Sequence, residues 1–108
     1  MAFTIKTSTL QDGATGTGNG TAVDGDSHIG HRYRVRCTGG TATVVLESSD
    51  DGTNFDELES LSMTAGTNEV REVTGPHAKL RARISAISGA TVNVKLEQYY
   101  DRPEGAAL

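Results

Sequence analysis

The stretch ESSDDGTNFDEL, Glu47 to Leu58, crowds carboxylates on both sides of Gly52. Side chains at that density can ligate a hard cation, share acid–base work, or cap a turn. A second concentration is VDGDSHIGH, where Asp24, Asp26, His28 and His31 supply the donor mix of a transition-metal site. The third reactive group is Cys37, a thiol that a histidine could activate as a nucleophile.

The spacings argue against all three chemistries. A calcium loop needs D-x-[DN]-x-[DN]-G with a closing glutamate, and Glu47–Leu58 does not match it. The VDGDSHIGH group has no second ligand cluster, because the remaining histidine, His77, stands alone beside Gly75-Pro76. Cys37 shares its phase with Tyr33 and Val35, which assigns it to the core as inert packing. The chain has no G-x-S-x-G elbow, Walker loop or zinc spacing, and no helix follows the glycines of Gly13–Gly20 to cradle a phosphate. The expectation is a protein that is not an enzyme and takes no metal and no cofactor.

Period-two alternation supplies the elements around these residues, with no convincing helical stripe. HRYRVRCT turns Tyr33, Val35 and Cys37 to one face and Arg32, Arg34 and Arg36 to the other. TATVVLES groups Ala42, Val44 and Leu46. KLRARISAI groups Leu80, Ala82, Ile84 and Ala86 against Arg81 and Arg83, and TVNVKLEQ groups Val92, Val94 and Leu96. Shorter strands are expected at Phe3–Thr9, Thr21–Asp24, Phe55–Leu61 and Glu69–Val73, with glycine turns between the elements. At 108 residues, with Trp absent and abundant Gly and Thr, this is one domain. The predicted fold is all-β: a single antiparallel β-sandwich, jelly-roll or immunoglobulin-like, with flexible terminal arms. Residues 1–9 form a strand or arm, 10–100 the sandwich and 101–108 an arm, while Asp12–Gly20 reads as a flexible loop.

The lone Cys37 excludes an internal disulfide and fits a reducing compartment. The amino terminus lacks a signal-peptide core, and no apolar run approaches the roughly 20 residues of a membrane span. A net charge of −4 gives no footprint for nucleic acid.

For Glu47–Leu58 a turn remains. A four-residue loop, Ser49 to Gly52, sets Leu46 opposite Phe55 and Ser48 opposite Thr53, keeping leucine inside. Asp50 then accepts N–H groups across the turn and Gly52 takes a positive φ. Ser48, Asp50, Gly52 and Phe55 fit S-x-D-x-G-x-x-F/W, which resembles the Asp-box hairpin of sialidases. That resemblance covers eight residues, occurs once, and implies a structural clasp rather than a sialidase site.

Arg32, Arg34 and Arg36 form one outward ladder, and Arg81 and Arg83 another. They are read either as partners of cross-strand acids such as Glu47, Glu69, Glu72 and Glu97, or as a docking face for an acidic partner. The order of TGNGTAVDG, GGTATVVLESSDDGTNF, GPHAKLRARIS and SGATVNVKLEQ, over roughly residues 10–98, resembles the small β-sandwich structural proteins of tailed bacteriophages. The resemblance implies a virion structural protein made in the bacterial cytoplasm. Its expected role is capsid decoration, as a homo-oligomer on the major capsid protein at the outer head surface, with no nucleic-acid or membrane partner. Arg32, Arg34, Arg36, Arg81, Arg83, Phe3, Ile5 and Leu108 are the candidate interface. The alternative is a carbohydrate-binding or adhesion module on a tail or fibre.

Overall fold

The computed structural model describes residues 2–25, 29–75 and 77–101. It is a two-sheet antiparallel sandwich whose strands, among the described residues, are β1 (Ala2–Ala14), β2 (Gly18–Asn19), β3 (Val23–Asp24), β4 (Gly30–Thr38), β5 (Thr41–Ser49), β6 (Asp56–Met63), β7 (Thr67–Thr74), β8 (Lys79–Ser88) and β9 (Thr91–Asp101). One sheet, A, runs β1-β9-β4-β7; the other, B, runs β2-β8-β5-β6, with β3 also on β8.

The pairings β1·β9, β2 and β3 with β8, β4·β7 and β5·β6 are those of one long antiparallel hairpin wound over on itself. With β2 and β3 counted as one interrupted strand, this is the jelly-roll order, which decides between the two topologies expected.

The alternation works as read through most of the core. Tyr33, Val35, Cys37, Val44, Leu46, Leu80, Ala82, Val92, Val94 and Leu96 are all fully buried. Ala86 is the exception, being exposed. The β5·β8 register slips between Thr43↔Ala86 and Val44↔Ile84, so Ser85 is an extra residue. Beyond that bulge the phase inverts, and Ile87 takes the inward position against the core.

Residues 2–9, for which a strand and an arm were both open, form the first part of β1, which continues through Ala14 into the stretch read as a loop. The run Lys6-Thr7-Ser8-Thr9 and Gln11-Asp12-Gly13 leave the later part of β1 with Leu10 as its one large apolar residue, and its pairing with β9 is broken by register shifts. Leu108 and the rest of residues 102–108 lie outside the described residues.

Candidate functional site: the outer charged faces

The hairpin from β5 to β6 is a structural clasp, with two corrections. Ser48 pairs with Asp56 and Leu46 with Glu59, so the connection between β5 and β6 spans residues 50–55 and is longer than the four-residue loop expected. The clasp residue is Asp51 and not Asp50. Asp51 Oδ1 accepts the backbone N–H groups of Thr53 and Asn54 at 2.8 Å each, and Oδ2 accepts from Asn54 Nδ2 at 2.8 Å. These bonds, from Asn54 first and then Thr53, hold the Asp51 carboxyl well below the usual carboxylate range. Buried Ser49 Oγ accepts from Gly52 N at 2.8 Å and donates to Asp51 Oδ1 at 2.9 Å. Gly52 takes the positive φ expected, 81°. The sequence offers Ser-Ser-Asp-Asp in a row, and choosing the second of each needs a register that a bulge beside Leu46 and Glu47 has altered.

The two arginine ladders have different fates. On sheet B, Arg81 Nε and Arg83 Nε donate to the two oxygens of Glu47 at 2.7 and 3.2 Å. Glu47 sits on a central strand, only 5% exposed, and Arg81 stacks over the Phe55 ring with its guanidinium carbon 3.9 Å from the centroid. Both cations and the aromatic are consumed in covering one buried carboxylate. This ladder is structural.

On sheet A, β4 lies between β9 and β7, and the pairing grades the charge along the strand. Arg32 stands opposite Glu97 and Glu72 and reaches both, at 3.5 and 3.2 Å. Tyr99 Oη donates to Glu72 at 2.6 Å, and this bond together with Arg32 holds the Glu72 carboxyl below its ordinary range. Arg34 shares the same Glu97 at 2.9 Å, but its direct neighbour across the ladder is Lys95. Arg36 stands opposite Asn93 and Asn68, and among the described residues neither Arg36 nor Lys95 has an ion pair. Asn93 is pinned by Gly13 N–H, which donates to its Oδ1 at 2.7 Å and so holds the β1 bulge above β9. Arg34, Arg36, Asn93, Lys95 and Asp12 line an open groove of about 410 Å³. Lys95 and Asp12 were missing from the candidate interface because sequence phase tells which residues face outward, but not that β9 lies beside β4.

The side chains of Phe3 and Ile5 lie outside the described set; their backbones belong to β1. Of the VDGDSHIGH group, Asp26 and His28 also lie outside it. His31 is a buried residue of β4: Nε2 lies 3.1 Å from Gly75 O and Nδ1 3.3 Å from Gln98 Nε2. Asp24 is exposed and bonded to Lys79 Nζ at 2.6 Å. Among the described residues no three His, Cys, Asp or Glu side chains are grouped to hold a metal. Cys37 is buried, its Sγ 3.8 Å from Gly40 O.

The architecture is thus a jelly-roll sandwich with charged clusters on the outer faces of both sheets. Among solved structures it is similar to the SPBc2 prophage-derived protein YomS, with a TM-score of 0.68 and 15% identity over 92% of this chain and 95% of that one. It is also similar to the PBSX exported protein XepA, with a TM-score of 0.62 and 12% identity over 95% of this chain but 38% of that longer protein. At these identities the likeness is one of fold. No family model and no curated protein matches the chain by sequence.

Proposed function

We propose that the chain is a bacteriophage virion structural protein that decorates the outer surface of the assembled head, binding the major capsid protein as a homo-oligomer. The observation that carries this reading is the near end-to-end fold match to a prophage-derived protein, which covers 92% of one chain and 95% of the other. The surface is in keeping with it. The most distinctive exposed feature is a partly compensated basic face on sheet A, where Arg36 and Lys95 have no ion pair among the described residues, and such a face suits docking. In this reading the protein is made in the host cytoplasm and acts at the capsid surface.

The adhesion alternative gains nothing from the aromatics whose side chains are described. Sugar platforms need exposed rings, whereas Tyr33 and Tyr99 are buried and Phe55 lies under Arg81. The deciding assay adds purified protein to undecorated heads and measures occupancy and resistance of the shell to heat. Saturable binding that toughens the shell is expected. Bare heads, with binding instead to a bacterial surface glycan, would give the role to the adhesion module.

A further inference from the structure

Among the described residues, the charged groups outside any ion pair gather mainly in two sets of opposite sign, with exposed Asp12 a single acid inside the cationic groove. The cationic set is Arg36 and Lys95, with Arg34 half neutralised by the Glu97 it shares with Arg32. Arg34 and Lys95 face each other directly across the ladder, a like-charge juxtaposition that destabilises an isolated sheet. The anionic set is the tip of the wound hairpin, where exposed Asp50, Asp56 and Glu57 have no ion pair among the described residues.

Each set also has an exposed apolar residue beside it. Val70, 44% exposed, pairs with Arg34 on the edge strand β7; Leu58, 37% exposed, follows Glu57 on the edge strand β6. These are two of the three large apolar side chains that the described surface exposes. Charge beside an apolar residue on an unpaired edge is the composition of a docking patch, and the two patches are complementary in sign.

One copy cannot bring them together. β4 runs towards the Gly39-Gly40 turn and β5 runs back from it, so Arg36 lies near one end of the sandwich and the tip at the other, in different sheets. A second copy can. A polyanion such as nucleic acid fits less well, since the cations form a compact cluster rather than a track, on a chain of net charge −4.

We infer that the acidic tip of one subunit, Asp56-Glu57-Leu58, docks on the Arg34–Arg36–Lys95 face and Val70 of the next. The interface is heterologous, because the two patches differ, and it builds a ring or an open chain according to whether the rotation closes. This deepens the proposed function by assigning the contact that makes the oligomer.

The test uses two charge-reversed variants of the full chain, Arg36→Glu/Lys95→Glu and Asp56→Lys/Glu57→Lys, studied by analytical ultracentrifugation. The parent should associate, at least ~10-fold more weakly in 1 M salt, where the screening length falls to about 3 Å. Each variant alone should be monomeric with a parent-like β spectrum. Mixed, they should assemble again, since every interface then joins opposite signs. A monomeric parent, variants that keep the parent mass, or a mixture that stays apart would overturn the inference. If a reversal unfolds the chain, Arg36→Ala/Lys95→Ala replaces it and should weaken association at least ~10-fold; unchanged association overturns the inference equally. Heads left bare by a chain that assembles in this way would count against the decoration reading alone.

Discussion

Along the β1 side of the sandwich, main-chain bonds tie the sheets together; along the β6–β7 side, a guanidinium does. Consecutive N–H groups at Gly20 and Thr21 bond to Ala82 O in sheet B and Leu10 O in sheet A, both at 2.9 Å. Gln11 Nε2 adds bonds to Ala82 O at 2.9 Å and Gly18 O at 3.3 Å. Gly20 is required there, since a Cβ would lie 2.1 Å from Leu10 O. On the far side Arg71 reaches Glu59 and Glu69 at 2.8 Å each. It pairs with Tyr33 across the ladder and so occupies an inward position of an edge strand. Inward charges of this kind deter indiscriminate strand addition. One seam is therefore sealed by the backbone and buried apolar surface. The other is held by solvated charge and remains open to a neighbour.

The sharpest way to break this contrast is Leu10→Ala in the sealed seam. Leu10 is 2% exposed, and its truncation should cost about 2–5 kcal/mol in denaturant melts. A parent-like midpoint would mean that the seam is not sealed by packing.

An intermediate effect is expected at the turn that anchors β6. Asp51→Ala should lower the melting temperature by several degrees at pH 7, whereas Asp50→Ala should stay within about 2 °C of the parent. The Asp51 carboxyl is depressed in the fold, so its contribution is present above its unfolded value of about 4 and lost as pH falls below it. The gap between Asp51→Ala and the parent should therefore narrow on acidification. A gap that widened in acid would remove the clasp from Asp51.

The smallest effect on melting belongs to the open seam. Arg71→Met should move the midpoint by no more than about 2 °C, because solvated ion pairs contribute little. Light scattering at rising concentration should nevertheless show more association once the inward charge is gone. A large loss of stability would show that Arg71 seals its edge as firmly as Leu10 does the other.

Sequence phase revealed the fold class because Tyr33, Val35, Cys37 and their counterparts alternate without interruption between the large apolar and the charged. It failed wherever a bulge intervened. Ser85 inverts the end of β8, and a second slip, from Leu46↔Glu59 to Glu47↔Glu57, lies beside the turn whose clasp is Asp51 rather than Asp50. The arginines were legible as outward, but their fates were not. Arg81 and Arg83 are spent on Glu47 and Arg36 is left over because of which strands neighbour β5 and β4, and in a jelly roll those neighbours are distant in sequence.

The wound hairpin also sets a folding schedule. Only the β5–β6 tip closes over a short loop, while Phe3 must find Tyr100 and His31 must find Gln98. On a ribosome, sheet A is limited to the β4·β7 pair until β9 has emerged, and β1 has no strand of that sheet to pair with until then. Pairings of such long range lose the most chain entropy before any bond rewards them, so slow folding is expected of this topology. Until β9 arrives, the partly built sandwich exposes the flank of β4 that β9 will cover, together with the whole of β1. The nascent chain, rather than the finished one, is where this protein is most prone to pair with the wrong strand.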